Sequence, residues 1–267
     1  MTILQTNGVS KRYGKQDALS NVSIKVEEGK VYGLIGQNGA GKTTLMRLAA
    51  GLGYPTSGSI ELFGNKKGAE KAREKIGCVI ESPALYPDMT ANQNIELQQI
   101  VRNRPDKKKA EELLHFVGLS DTGHKKAKNF SLGMRQRLGL AIALIGDPKF
   151  LILDEPINGL DPTGIAEMRK LIKSLATDQG LTILVSSHIL SELAQTASEF
   201  IIIDKGKIIE QLSAEEIEAK SQQSIIKLEN FEDASKAINL LTEAGISATL
   251  ENGGLEDYYF SVIGGAK

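Results

Sequence analysis

Cys78 is the only cysteine in the 267-residue chain. That excludes an internal disulfide and fits a reducing compartment. Its place in the apolar run Cys78-Val79-Ile80 favours a packing role over a reactive thiol. Net charge is scarce too: 32 Lys and Arg against 33 Asp and Glu leave -1. Broad electrostatic attraction to nucleic acid or acidic lipid therefore gets no support. Runs such as "LAIALI" and "FLIL" fall far short of the roughly 18 apolar residues of a membrane span. The opening MTILQTNGVSKRYG lacks the charged start and apolar stretch of a secretion signal. Internal repeats, low-complexity tracts and heptad runs are absent as well. The expectation is a soluble chain that reaches a membrane only through a partner.

What is present reads as an α/β protein, long enough for a full core. Short strands punctuated by glycine fill the first 80 residues: "VSIKV", "KVYGLIG", "GSIELFG" and "GCVI". "FLILDEP", "LTILVSS" and "FIIIDKGKIIE" follow, with helical patterns between them. Such alternation predicts a mainly parallel sheet. A polar helical stretch, including "DKKKAEELLHFVGL", interrupts it and predicts a helical insertion at about 82–130. The lysines at 107–109 read as a solvated helix start. Beyond about Ala214 the pattern changes to strand, amphipathic helix, strand, with "DYYFSVI" as a last strand. Residues 1–215 are thus expected to form the main domain, and 216–267 a small α+β appendage.

"GLIGQNGAGKTTLMRLAAGL" carries the pattern G-x-x-x-x-G-K-[ST] as Gly36, Gly41, Lys42 and Thr43. It follows an apolar strand and opens a helix, the context a phosphate loop requires. Glycines let successive backbone N–H groups point at phosphate oxygens, and the helix N-terminus adds positive potential. The candidate nucleotide-binding residues are Gly36, Gln37, Asn38, Gly39, Ala40, Gly41, Lys42, Thr43 and Thr44. Lys42 is expected on the β- and γ-phosphates of ATP, and the Thr43 hydroxyl on Mg²⁺. "FLILDEP" ends a strand on Asp154 and Glu155. Neighbouring strand side chains point to opposite sides, so the pair can divide labour. Asp154 is assigned to Mg²⁺, and Glu155 to a water near the γ-phosphate.

Between these motifs stands "NFSLGMRQRLGLAIAL". It resembles the signature of the ATP-binding cassette (ABC) family, usually Leu-Ser-Gly-Gly-Gln. Ser131 and Gly133 keep their places, while Leu132 and Met134 replace the usual Gly and Gln. Ser131 is also a good N-cap before strong helix formers, so it predicts a second anion-accepting helix end. The resemblance extends from about residue 2 to 215. It implies a P-loop nucleotide hydrolase core of the ABC type in which two cassettes, as homodimer or heterodimer, sandwich two ATP. Ser131 and Gly133 of each copy would cover the ATP of the other. It further matches Tyr13 to the adenine-stacking aromatic residue, Asp161 in "NGLDP" to the loop that signals between cassettes, and His188 in "LVSSH" to the γ-phosphate histidine. His115 and His124 match nothing in that pattern and read as structural.

"KIGCVIESPALYPDMT" places a carboxylate, Glu81, where a strand opens into a loop. Most cassettes carry a glutamine there, one that touches Mg²⁺ and relays the state of the site to the helical subdomain. A carboxylate keeps metal ligation and loses the ability to donate a hydrogen bond. "IESPALYPDMTANQN" resembles the cassettes of bacterial exporters that protect producers from bacitracin and lantibiotic peptides. The implied function is ATP hydrolysis that powers an integral membrane permease. The chain would then sit at the cytoplasmic face of the cell membrane, with Glu81 and Asp161 coupling ATP to the permease. The alternative is a soluble ABC ATPase acting on DNA or in translation; such members of the family usually carry a long coiled coil or two cassettes in one chain, which this sequence lacks, and its charge balance offers nucleic acid no obvious surface. A small-molecule kinase would leave Ser131, Asp161 and His188 unexplained.

Overall fold

The computed structural model describes residues 1–65, 69–220 and 232–244. The chain forms two compact units, Met1–Leu212 and Ser213–Lys267. The first opens with β1 (Thr2–Tyr13), β2 (Gln16–Val22), β3 (Lys25–Glu27) and β4 (Val31–Ile35), then α1 (Lys42–Ala50), β5 (Ser57–Leu62), α2 (Ala69–Arg73) and β6 (Ile76–Val79). Next come α3 (Ala91–Val101), α4 (Lys107–Phe116) and α5 (Leu132–Ala143). It closes with β7 (Phe150–Leu153), α6 (Pro162–Thr177), β8 (Thr182–Ser187), α7 (Leu190–Ala194), β9 (Glu199–Asp204) and β10 (Lys207–Ser213).

Two sheets organise these elements. β2, β1 and β3 form an antiparallel layer, with β5 also paired to β1. The second sheet has the order β10-β9-β4-β8-β7-β6. Its pairs β6–β7, β7–β8, β8–β4 and β4–β9 are parallel. Every residue of β4, β7 and β8 is buried. Such continuous apolar runs belong to parallel strands covered on both faces. Register places Ile35 opposite Ser187 and Leu153 opposite Val185, so the strand ends open along one edge. In open α/β sheets the crevice beyond those carboxyl ends is where ligands bind.

The expected helical stretch contains α3 and α4, and α5 packs against both. Each of these helices starts on a side chain that caps a free backbone N–H. Thr90 and Gln93 form a reciprocal capping box at α3. Asp106 caps α4, and Ser131 caps α5 by accepting from the Met134 N–H.

Four local features depart from the sequence reading. "VSIKV" is not one strand: Val22 ends β2, Ser23 and Ile24 lie outside any strand, and β3 begins at Lys25. β6 stops at Val79, so Glu81 stands two residues past the strand rather than at its last position. "FIIIDKGKIIE" forms two strands, β9 and β10, turned through Lys205 and Gly206 at φ 44 and 77. The 12-residue β1 has no strongly apolar pattern and was not expected as a strand.

In the second unit, Ser213 and Glu216 cap each other reciprocally at the start of α8 (Ala214–Lys220). The predicted amphipathic helix is α9 (Glu232–Glu243). The strands expected on either side of it, and "DYYFSVI", lie outside the described residues. No helix among the described residues is long and apolar enough to cross a membrane.

Gly77 sets the distance between β6 and α5, because a Cβ there would stand 2.1 Å from the Ala143 carbonyl oxygen. Gly77→Ala is expected to lower the unfolding free energy by about 1–3 kcal/mol, the usual cost of overpacking, read as a lower urea midpoint. Burial pushes the neighbouring Cys78 thiol up from its ordinary pKa, against a smaller opposing effect of Arg102. Alkylation of Cys78 by iodoacetamide at pH 8 should therefore run well below the rate of a free cysteine.

Candidate nucleotide site

The phosphate loop joins the end of β4 to α1. Gly36 and Gly41 are demanded by close approach, and Gly41 by backbone shape as well. A Cβ on Gly36 would lie 2.4 Å from the Ile203 carbonyl oxygen. One on Gly41, which has φ 108, would lie 2.8 Å from that of Ala18. The loop backbone is thereby pressed onto β2 and β9, and its N–H groups keep a fixed direction. Lys42 is 6% exposed, and its ammonium donates to the Gly36 and Gln37 carbonyls at 2.7 and 3.3 Å. Gln37, Asn38 and Gly39 are exposed. An open cleft of about 550 Å³ runs over the loop, bounded by Tyr13, Ala18, Glu155 and Gly206.

The two acids after β7 do face different partners. Asp154 is 4% exposed. Its Oδ2 accepts from the Thr43 hydroxyl at 2.7 Å and its Oδ1 from the Ser186 hydroxyl at 2.6 Å. A buried carboxylate needs such donors, since desolvation is otherwise costly. Glu155 adopts φ 49, a left-handed conformation rare outside glycine. The turn aims its carboxylate back over the cleft. There Oε1 lies 3.2 Å from the Lys42 ammonium, and Oε2 lies 2.6 Å from His188 Nδ1. Its backbone N–H donates to Ser186 Oγ at 2.9 Å.

Lys42 and Thr43 from the first turn of α1 thus converge with Asp154, Glu155 and His188 from the ends of β7 and β8. Tyr13 ends β1 at the rim of the cleft, 51% exposed, with the Lys11 ammonium 5.0 Å from its ring. Ser131, Gly133 and Asp161 are not among the residues lining that cleft. Ser131 is exposed at the tip of α5, and Asp161 caps α6 by accepting from the Gly164 N–H at 3.1 Å, with Pro162 at the first helical position. A Cβ at Gly133 would meet only Leu160 Cδ2, at the ordinary distance of 3.7 Å.

Glu81 has φ 64, and its carboxylate pairs with the Arg47 guanidinium at 2.9 Å. Together with Pro83, Leu132, Arg135 and Glu155 it lines a second cleft of about 490 Å³.

Two contributors escaped the sequence reading, Ser186 and Arg47. Ser186 stands two positions before His188 in "LVSSH" and shares its strand face, so the alternation of β8 carried a signal for it. Arg47 lies four residues after Thr43, on the same face of α1, and nothing in its local pattern pointed to Glu81.

A glycine-wrapped lysine beside paired acids at parallel strand ends defines a phosphate-loop nucleotide hydrolase. The ABC transporter family profile matches residues 19–158, and the chain belongs to that family. The bacitracin transport ATP-binding protein BcrA of Bacillus licheniformis is 37% identical, over 99% of this chain and 98% of that one. The lantibiotic transport ATP-binding protein SrtF of Streptococcus pyogenes is 45% identical over 78% of this chain and 89% of that one. A solved dimeric ATP-binding cassette, in a post-hydrolysis state with ADP and Pi, matches with TM-score 0.72 and 27% identity, covering 79% of this chain and 98% of that one. The protein is an ATPase, and ATP is its substrate.

Ser186 holds both acids at once, through Asp154 Oδ1 and the Glu155 N–H. Ser186→Ala should lower the unfolding free energy by about 1–3 kcal/mol, because two polar groups lose their partner. ATP turnover should fall by about tenfold, since misplacing both acids costs at least one such increment in the transition state. Urea titration and a phosphate-release assay check the two effects.

Proposed function

We propose that this chain is the ATPase subunit of an exporter that removes antimicrobial peptides of the bacitracin or lantibiotic kind. The observation that carries the reading is the end-to-end similarity to a bacitracin transport ATP-binding protein. Glu81 at the mouth of the helical insertion supports it from the site. The chain would work at the cytoplasmic face of the membrane through a separate integral permease. Residues 1–215 form the ATPase domain in this reading, with the helical part near 82–130 carrying motion to the permease, and 216–267 are an accessory region.

Two copies would close over two ATP molecules. Gly133 supports this, because one chain alone leaves space at that position. A glycine there suits close approach of a nucleotide held by the other copy. Ser131 at the α5 N-terminus would present free N–H groups to that nucleotide's phosphates. Tyr13 would lie under adenine, while the N–H groups from Gly36 to Thr44 and the Lys42 ammonium hold the phosphate chain.

Mg²⁺ fits the donor set. Thr43 Oγ1 and Asp154 Oδ2 offer two oxygens 2.7 Å apart. Among the described residues no group of three or more His, Cys, Asp and Glu could cage a metal. So sparse a site suits an ion that keeps waters and substrate phosphate oxygens in its shell. When bound, Mg²⁺ neutralises charge on the β- and γ-phosphate oxygens. Glu155 would accept a proton from the attacking water. His188, hydrogen-bonded to Glu155 through Nδ1, keeps Nε2 free for the γ-phosphate side. Glu81 would join Mg²⁺ as ATP binds, and Asp161 would report the state of the site to the other copy.

Glu155→Gln should keep ATP binding, lose most turnover and accumulate as an ATP-bound dimer in size-exclusion chromatography. Rapid turnover in that variant would remove Glu155 from this role. Co-expression with its neighbouring permease should raise the bacitracin or lantibiotic concentration that a sensitive host survives, and Glu81→Gln should abolish that gain while the isolated chain still hydrolyses ATP at saturating Mg²⁺. Protection that ignores both substitutions would contradict peptide export driven by this site.

A further inference from the structure

Glu81 is committed to a partner that the sequence reading did not foresee. Its carboxylate meets the Arg47 guanidinium at 2.9 Å. The residue is held at φ 64, and the backbone turns back on itself just beyond, where the Ser82 N–H donates to the Ile80 carbonyl at 2.9 Å. A non-glycine residue in that region is uncommon and is held there by its surroundings, typically in switch segments. Glu81 is 57% and Arg47 43% exposed, so the pair is solvated and easily exchanged.

Position on the helix gives this pair its meaning. Arg47 and Thr43 are four residues apart on α1 and therefore share one face. Thr43 carries the hydroxyl bonded to Asp154. A rise of about 6 Å along the axis, just over one turn, separates the guanidinium's anchor from that hydroxyl's. Glu81 also lines a cleft together with Glu155, whose charge disfavours a second free carboxylate there. Among the described residues, Arg47 is the cation that Glu81 contacts.

We propose that Arg47 is the positioning residue for Glu81, a latch on α1 that engages the carboxylate by an ion pair until Mg-ATP, held at the Thr43–Asp154 position, competes for it. Release of Glu81 frees the turn at 80–82 and the segment that leads to α3. The state of the nucleotide site is thereby passed to the helical part by exchange of one ion pair for a metal contact. This rests on the reading that Glu81 meets Mg²⁺ when ATP is bound.

The test compares the full chain with Arg47→Met, Arg47→Lys, Glu81→Gln and the Arg47→Met/Glu81→Gln double variant. Two quantities are read: the Mg²⁺ concentration that half-saturates binding of a fluorescent ATP analogue, and hydrogen exchange of the Ser82 and Leu85 amides without nucleotide. Arg47→Met should lower the half-saturating Mg²⁺ by about two- to fivefold, the worth of one exposed ion pair. It should also speed exchange at Ser82 and Leu85, while Arg47→Lys keeps wild-type behaviour in both. In the Glu81→Gln background, removing Arg47 should move neither quantity. The latch is overturned if Arg47→Met is silent where Glu81→Gln shifts the Mg²⁺ requirement, or if it acts equally in both backgrounds. A Mg²⁺ requirement untouched by Glu81→Gln overturns the underlying role of Glu81 instead, and the latch with it.

Discussion

The Asp154 carboxylate ties the site together. One oxygen takes the Thr43 hydroxyl from the first turn of α1, and the other takes the Ser186 hydroxyl from β8. Three elements far apart in sequence are thereby locked at the strand ends. Ser186 passes the constraint on by accepting the Glu155 N–H, which fixes the left-handed turn that aims Glu155 at Lys42 and His188. Position of the acids, the phosphate loop and the histidine therefore depends on a single buried anion and its two donors. Such a group is tolerable only when fully partnered, which accounts for the burial of Ser186 and the depth of Asp154.

Helix ends complete the design. The N-terminus of α1 faces the cleft with no side-chain cap, because Gly41 leaves its N–H groups open. α6, in contrast, is closed by Asp161 and Pro162. α5 is capped by Ser131 at an exposed tip outside that cleft. An uncapped helix end at the cleft and an exposed end at the signature are the two halves that the proposed pair of cassettes would use. Leu132 and Met134, the departures from the usual signature, stay within the chain: Leu132 Cδ2 approaches Gly159, and Met134 Sδ lies 3.9 Å from the Lys125 ammonium. The loop after Glu155 thus touches the signature of its own chain.

Much of this was legible in the residues. Buried parallel strands announce themselves as unbroken apolar runs, and β4, β7 and β8 were readable for that reason. The phosphate loop is equally visible, since its glycines answer to steric limits that no other residue meets. β1 was not legible because its strand character comes from pairing with β2, β3 and β5 rather than from its own apolar content. Left-handed backbone at Glu81 and Glu155 was equally hidden, because neither is a residue type that favours it. The Arg47 contact joins positions 34 residues apart, through a fold that a local pattern does not encode.

The central claim is that each ATP is hydrolysed by Glu155 of one copy under Ser131 and Gly133 of another. Mixing two inactive variants tests it directly: Glu155→Gln, with an intact signature, and Gly133→Asp, with an intact Glu155. A mixed dimer contains one complete composite site, so ATPase activity should reappear on mixing, at no more than about half the wild-type rate per chain. Activity that stays absent across all mixing ratios, with mixed dimers shown to form, would contradict a site shared between two copies.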